Sequence, residues 1–96
     1  MIDIVKRAKN MSSNELLQEA RRTKEEGIIH YLNNGSIDDR KVKFFEKVEK
    51  LTYWLAVKKA SCEEELEECA VAIETNCYYD NADDWAEQIR IQAYGL

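Results

Sequence analysis

Few side chains in this sequence have the chemistry that catalysis needs. His30 is the single histidine among the 96 residues, and Glu19 and Glu26 lie on the same polar side of its predicted helix. A Ser-His-Asp arrangement would need partners that no spacing indicates, so His30 is interpreted as a solvated surface residue. The three glycines are isolated and cannot form a loop that binds phosphate through backbone amides. The sequence therefore predicts a protein that is not an enzyme.

The three cysteines are also poor candidates for chemistry. Cys62, Cys69 and Cys77 are spaced seven and eight residues apart. Two helical turns span roughly 10 Å, too far for a disulfide within a helix, so reduced thiols in a cytoplasmic protein are expected. Cys62 is near a predicted helix N-terminus, which favours a thiolate, but three adjacent glutamates oppose it. No ligand set has zinc-site spacing, and we predict neither a metal nor a cofactor.

Carboxylates recur at the i, i+4 spacing from which helical bundles build divalent-metal sites. The pairs are Glu63/Glu67, Glu64/Glu68 and Asp83/Glu87. Each pair is predicted to lie opposite the apolar stripe of its helix, and the Glu-x-x-His motif of di-iron bundles is absent. These acids are therefore assigned to the protein surface and not to a metal site.

Charge is divided unequally along the chain. Residues 1–60 contain 13 Lys and Arg against 9 Asp and Glu, a net charge of +4. Residues 61–96 contain Arg90 alone against 10 acids, a net charge of −9, which together give the −5 of the whole chain. Two surfaces of opposite charge are therefore predicted.

The acids of the last third are our first candidates for a functional surface. Like charges at i, i+4 repel, and surfaces that serve only solubility usually intersperse lysines among them. A patterned acidic face can imitate a nucleic-acid backbone and occupy a basic surface of another protein. The candidate partner-binding residues are Glu63, Glu64, Glu67, Glu68, Val71, Asp80, Asp83, Asp84 and Glu87, where Val71 supplies an apolar contact. The alternative is that this face is only solvated.

Size and charge alone suggest classes for such a binding protein. Short acidic chains without catalytic apparatus are common among phage-encoded inhibitors of host or defence proteins, and among immunity proteins and antitoxins. We therefore expect a non-enzymatic inhibitor or regulator whose partner is a protein with a basic surface. A homodimer that brings opposite charges together is a further alternative.

A second candidate surface carries the opposite charge. Cations recur along the second main helix at steps of three, four and eight residues, and a tryptophan falls within them. The stripe consists of Arg40, Lys43, Lys47, Lys50, Trp54 and Lys58. Cations beside an aromatic ring can hold a phosphate while the ring stacks on a base, so a nucleotide or nucleic-acid binding module is the alternative function. Lysine stems can also simply cover an exposed ring.

Arg21 and Lys24 are anomalous because both fall between apolar residues of the first main helix. A buried and unpaired cation there would strongly destabilise the fold. Either acids of the later helices pair with them, within one molecule or across a dimer, or their side chains reach solvent at the edge of the stripe.

Caps and breaks divide the chain into four main helices after a short amphipathic start. Ser12–Glu15 and Ser61–Glu64 have the pattern of a capping box, and Asn33–Gly35 ends the first main helix. The segment 36–39 should cap the second helix, about 38–60, and Asp80 or Asn81 the last, which Gly95 closes.

Apolar residues at spacings of three and four predict the buried side of each helix. The first main helix should bury Leu16, Leu17, Ala20, Gly27, Ile28, Tyr31 and Leu32. The second should bury Phe44, Phe45, Val48, Leu51, Thr52, Leu55 and Ala56. The third should bury Leu66, Cys69, Ala70, Ile73 and Cys77, and the fourth Ala82, Ala86, Ile89 and Ala93 with Trp85 at the edge.

These helices predict an all-α fold, a small antiparallel bundle of about four helices in a single domain, residues 1–96. Prolines are absent, whereas all-β domains use many turn residues. No window approaches the roughly 18 apolar residues of a membrane span, and no secretory signal is evident, so a cytoplasmic protein without membrane contact is expected.

Overall fold

The predicted all-α class is confirmed in a computed structural model that describes residues 2–36, 40–76 and 81–95. No strand occurs in those ranges. The helices are α1 (Ile2–Ala8), α2 (Ser13–Asn34), α3 (Arg40–Lys59), α4 (Glu63–Asn76) and α5 (Ala82–Tyr94). The four main helices were all predicted, and α1 is the short amphipathic start.

Consecutive main helices pack as two antiparallel pairs. Ser13 at the start of α2 contacts Ala56 near the end of α3, while Gly27 lies against Phe45 near the start of α3. On α4 and α5, Glu67 contacts Tyr94 and Glu74 contacts Arg90, which again requires opposite directions. The predicted antiparallel bundle is therefore correct.

The first predicted capping box is present at the start of α2. The Ser12 hydroxyl accepts from the Glu15 amide at 3.2 Å, and Glu15 Oε1 accepts from the Ser12 amide at 3.0 Å. Hydrogen bonding to the Glu15 carboxylate, first from the Ser12 amide and then from the Ser12 side chain, holds the pKa of Glu15 below its usual range. At the other end Gly35 has a φ of 68° and donates its amide to the Tyr31 carbonyl, so α2 ends where predicted.

The prediction of Glu64 as the capping partner of Ser61 is wrong. Helix α4 begins at Glu63, two residues after Ser61. Glu65, not Glu64, reaches back and accepts from the Ser61 hydroxyl at 2.7 Å and the Ser61 amide at 3.3 Å. Asn81 precedes α5 without a side-chain capping bond. Asp80, Cys77 and the cap of α3 at 37–39 lie outside the described residues.

Helices α4 and α5 bury the predicted stripes. The buried side chains are Leu66, Cys69, Ala70 and Ile73 on α4 and Ala82, Ala86 and Ile89 on α5. Ala93 and Trp85 are partly buried and pack at the margin of the same cluster, as expected for the edge of a stripe.

The prediction for α2 is right only in its first half. Leu16, Ala20 and Gly27 are buried, but Ile28, Tyr31 and Leu32 are exposed, with 71% of Leu32 accessible to solvent. The physical reason is length. Helix α2 has 22 residues and spans about 33 Å, whereas the 14 residues of α4 span about 21 Å. From Ile28 onward, no described helix covers this side of α2.

The prediction for α3 identifies a side that is rotated from the true core. Thr52 and Ala56 are buried, but Phe44 is 46% exposed, and Phe45, Val48, Leu51 and Leu55 are only partly buried. The buried residues that we missed are Val42, Glu49 and Tyr53. They were missed because α1, α2 and α4 all pack against α3. The buried side of α3 is therefore set by these contacts and is not the side with the most apolar side chains.

Two apolar clusters form the core. One contains Tyr53 of α3 with the stripes of α4 and α5, and the other contains Ile4 and Ala8 of α1 with Leu16 and Ala56. A buried polar contact also joins α2, α3 and α4. The Ser13 hydroxyl donates to the Ala56 carbonyl at 2.9 Å and lies 3.5 Å from Cys69 Sγ. It therefore links α2, α3 and α4 inside the core.

Candidate functional site

The acidic residues of α4 and α5 are mostly exposed, and we call them together the acidic face. Its described members are Glu63, Glu64, Glu67, Glu68, Val71, Asp83, Asp84 and Glu87, and Asp80 lies outside the described residues. On α4, Glu64, Glu68 and Val71 lie on the side of the helix opposite its buried stripe. All eight side chains are exposed except that of Glu67, which is partly buried.

Arg90 is the centre of an ion-pair network between α4 and α5. Its Nη1 and Nη2 atoms donate to both carboxylate oxygens of Glu74 at 2.8 and 2.6 Å. Its Nε atom donates to Glu67 at 3.2 Å, and the Tyr94 hydroxyl donates to Glu67 Oε2 at 3.0 Å. Hydrogen bonds from Arg90 hold the pKa values of both carboxyls below the usual range. For Glu67, the bond from Tyr94 lowers the pKa further.

This network changes the role predicted for Glu67. Its carboxylate is already used inside the molecule, so it contributes less to an external contact than its neighbours do. The sequence did not identify the pairing because Glu67 and Arg90 are 23 positions apart. The only available signal was that Arg90 is the single cation among the acids of the last third.

The remaining six acids of the acidic face have no cation partner. Within the described ranges, no ion pair or hydrogen bond involves their side chains, and all six are exposed. They are Glu63, Glu64, Glu68, Asp83, Asp84 and Glu87. Because Arg90, the single arginine of α4 and α5, pairs with Glu67 and Glu74, the negative charge of these six acids is not compensated from within the two helices.

A shallow groove borders the acidic face where α4 meets α2. It encloses about 390 Å³ and is lined by residues of α2 on one wall and of α4 on the other. Arg21 stands on the α2 wall opposite Glu67 and Glu68, and Val71, which is 43% exposed, lies on the α4 wall. Arg21 is exposed and Lys24 is partly buried. Arg21 therefore reaches solvent at the edge of its stripe.

The basic stripe comprises Arg40, Lys43, Lys47, Lys50, Trp54 and Lys58, and the structure brings all six together on one exposed side of α3. This side lies opposite the buried residues Val42, Glu49 and Ala56. Lys58 Nζ lies 4.9 Å from the centroid of the Trp54 ring, within the range of a cation–π interaction. The lysine thus covers part of a ring that is 47% exposed.

A second groove, which the sequence did not predict, lies beside Trp54 between α3 and α5. It encloses about 360 Å³. Helix α3 contributes Trp54, Val57 and Lys58, and Ala60 follows its end. The opposite side contains Trp85, Gln88, Ile89 and Gln92 of α5. Trp85 and the two glutamines were not identified as candidates because nothing in the sequence shows which side of α5 faces α3.

The residues considered for catalysis are dispersed. His30 is partly buried at the outer end of α2, with its ring centroid 6.3 Å from that of Phe45. Cys62 is exposed, whereas Cys69 is buried and its burial raises the pKa of the thiol. In the part of the chain that is described, no three His, Cys, Asp or Glu side chains are grouped as a metal ion requires.

Comparisons with known proteins add no relatives: no family model, no curated protein and no solved structure matches this chain. None of the helices in the described ranges is both long enough and apolar enough to cross a membrane.

Proposed function

We propose that the protein binds a basic surface of another protein through the acidic face and acts as a non-enzymatic inhibitor or regulator. One observation carries this proposal: six exposed carboxylates are collected on two neighbouring helices whose single arginine already pairs with two other acids. Their charge is therefore available to a partner.

The physical basis is the free energy that uncompensated charge adds to the isolated protein. Each pair of like charges at i, i+4 destabilises a helix by a few tenths of a kcal/mol. A complementary basic surface removes this repulsion on binding, and opposite potentials accelerate association. Val71 lies among these acids and provides apolar contact area, which adds affinity that does not depend on salt.

The chemistry of the partner follows from the pattern of the face. Carboxylates on two antiparallel helices present rows of negative charge, as a nucleic-acid backbone does. We therefore propose that the partner is a nucleic-acid-binding protein whose basic channel the acidic face occupies. A phage-type inhibitor of a host or defence protein fits this description, and an immunity protein or antitoxin would use the same contacts.

Paired charge reversals test the proposal. The Glu64→Lys/Glu68→Lys variant should lose a partner that the unaltered protein retains from a lysate of its native host or target cell. The Glu25→Lys/Glu26→Lys variant changes the net charge equally at two exposed positions of α2 and should keep it. Retained proteins are identified by mass spectrometry, and circular dichroism establishes that both variants are folded. Retention of the same partner by the α4 variant would show that the acidic face is not the binding surface.

A further inference from the structure

The two tryptophans of the chain lie in the same groove, although they are 31 positions apart in sequence. Trp54 belongs to α3 and Trp85 to α5, and both line the space of about 360 Å³ between these helices. Such a volume is at the lower end of the range for small-molecule sites. Indole rings offer flat apolar surfaces on which an aromatic heterocycle can stack.

The remaining lining residues favour a polar heterocycle. Gln88 and Gln92 are exposed and one helical turn apart beside Trp85. Each amide offers two donors and one acceptor oxygen, which matches the mixed donors and acceptors on the edge of a nucleobase. None of the eight residues that line the groove is acidic, so a nearby phosphate meets no repulsion from the groove itself.

The basic stripe leads directly into this groove. Lys58 lines the groove and lies over the Trp54 ring, and Lys50 precedes Trp54 by about one turn. Farther along α3, Lys47, Lys43 and Arg40 follow at steps of three and four residues, which correspond to about 4.5 to 6 Å along the axis. These cations form a row along one exposed side of the helix.

We propose that single-stranded nucleic acid binds along α3, with one base stacked in the groove between Trp54 and Trp85 and its phosphates on the basic stripe. This site shares no residue with the acidic face, so it stands or fails independently of the proposed protein-binding function. A single strand is favoured over a duplex because a groove of this size admits one base only when that base is free to leave its stack.

The expected binding is moderate in strength and sensitive to salt. The chain carries a net charge of −5, which opposes the approach of a polyanion, whereas the stripe presents a local row of cations. Each neutralised phosphate of a single strand contributes a slope of about −0.7 to the dependence of log K on log salt. Four or five contacts would therefore weaken binding steeply between low and physiological salt.

Tryptophan fluorescence provides a direct measurement, since both fluorophores are in the site. Titration with a ten-nucleotide oligothymidylate at low salt should quench the emission of the unaltered protein. For the variants, anisotropy of a labelled oligothymidylate gives the affinity. Trp54→Ala should weaken binding about tenfold, in line with one lost stacking contact, and Trp54→Phe should restore most of it.

A matched pair of charge reversals separates the stripe from general charge. Lys47→Glu/Lys50→Glu should abolish binding, while Lys6→Glu/Lys41→Glu, at exposed positions outside the stripe, should retain it within a few-fold. Competition by a DNA duplex or by polyphosphate should be at least tenfold weaker than by oligothymidylate. The proposal is overturned if the unaltered protein shows no quenching at low salt, if both double variants lose binding equally, or if polyphosphate competes as well as oligothymidylate.

Discussion

The α4–α5 pair and the outer end of the α2–α3 hairpin were predicted by the same reasoning and turned out differently. We define the outer hairpin as residues 24–34 of α2 and 40–47 of α3. In α4 and α5, the described apolar residues at helical spacing are buried, as with Ile73 and Ile89. In the outer hairpin, Ile28, Leu32 and Phe44 occur at comparable spacing and are exposed. Periodicity shows which residues share a side of a helix, but not whether another helix covers that side.

The pairing of acids with cations also differs between two parts of the molecule. Near the start of α2, Glu19 accepts two arginines, Arg22 at 2.6 Å and Arg7 at 2.9 Å. On α4 and α5 the ratio is inverted, because Arg90 alone serves Glu67 and Glu74. Glu19 thus has two cation partners, whereas α4 and α5 provide one cation for two acids and none for their outer acids.

Truncation of apolar side chains gives the largest expected contrast between the two regions. Ile73→Ala should lower the free energy of unfolding by about 3 to 4 kcal/mol, because it leaves a cavity in a fully buried site. Leu32→Ala in the outer hairpin should change it by less than about 0.5 kcal/mol. Urea unfolding followed by circular dichroism measures both. An equally large loss for Leu32→Ala would mean that the side chain is covered in solution.

Gly27 offers a smaller effect, at the place where the outer hairpin begins to be packed. A Cβ atom added to Gly27 would lie 3.0 Å from Phe45 Cβ, closer than such atoms normally approach. Overpacking typically costs 1 to 3 kcal/mol, whereas replacing a helical glycine by alanine gains about 1 kcal/mol. We expect Gly27→Ala to destabilise the protein by about 1 kcal/mol in the same urea assay.

An exposed site on the same helix is the control for this substitution. Glu25→Ala should change the free energy of unfolding by no more than about 0.5 kcal/mol, since Glu25 is exposed. If Gly27→Ala instead proves more stable than the unaltered protein, Phe45 shifts enough to accommodate the added methyl group, and the expectation is wrong.

The smallest expected effect is the dependence of stability on pH that arises from Arg90. Glu67 and Glu74 have pKa values lowered in the folded protein, so their contribution is fully present above the ordinary carboxyl value of 4.5. It is lost as the pH falls through the lowered values. Arg90→Gln should lower the Tm by a few degrees at pH 7 and by less at pH 3.

Arg40→Gln is the matched control, because it removes the same charge at an exposed position at the start of α3, away from this network. Its effect on the Tm should be small at both pH values. Thermal unfolding of the three proteins at pH 7 and pH 3 measures the difference. A loss for Arg90→Gln that is equal at the two pH values would show that its ion pairs do not stabilise the fold.

Much of the fold could be predicted from local signals. The Ser12–Glu15 capping box, Gly35 as the end of α2, and the stripes of α4 and α5 depend on residues within a few positions of one another. The relative lengths of packed helices cannot be predicted from local signals. The exposure of Ile28 and Leu32 depends on where α4 ends relative to α2. The same applies to Tyr53, which is buried because a second pair of helices packs on α3.

The candidate surfaces follow the same division. Charge counts predicted an acidic and a basic surface, and the period of α3 alone places the six stripe residues on one side of the helix. Glu67 pairs with Arg90, and Trp54 lines one groove with Trp85, and each of these arrangements joins two helices. Neither could be predicted before the packing of the helices was known.

The contact of Ser13 with Cys69 has a consequence for how opening of this protein can be timed. Cys69 is fully buried with a raised thiol pKa, whereas Cys62 is exposed. In a Cys77→Ser background, an alkylating reagent should modify Cys62 at once and Cys69 only when α2, α3 and α4 separate. The labelling rate of Cys69 would then report how often the core opens, without an introduced probe.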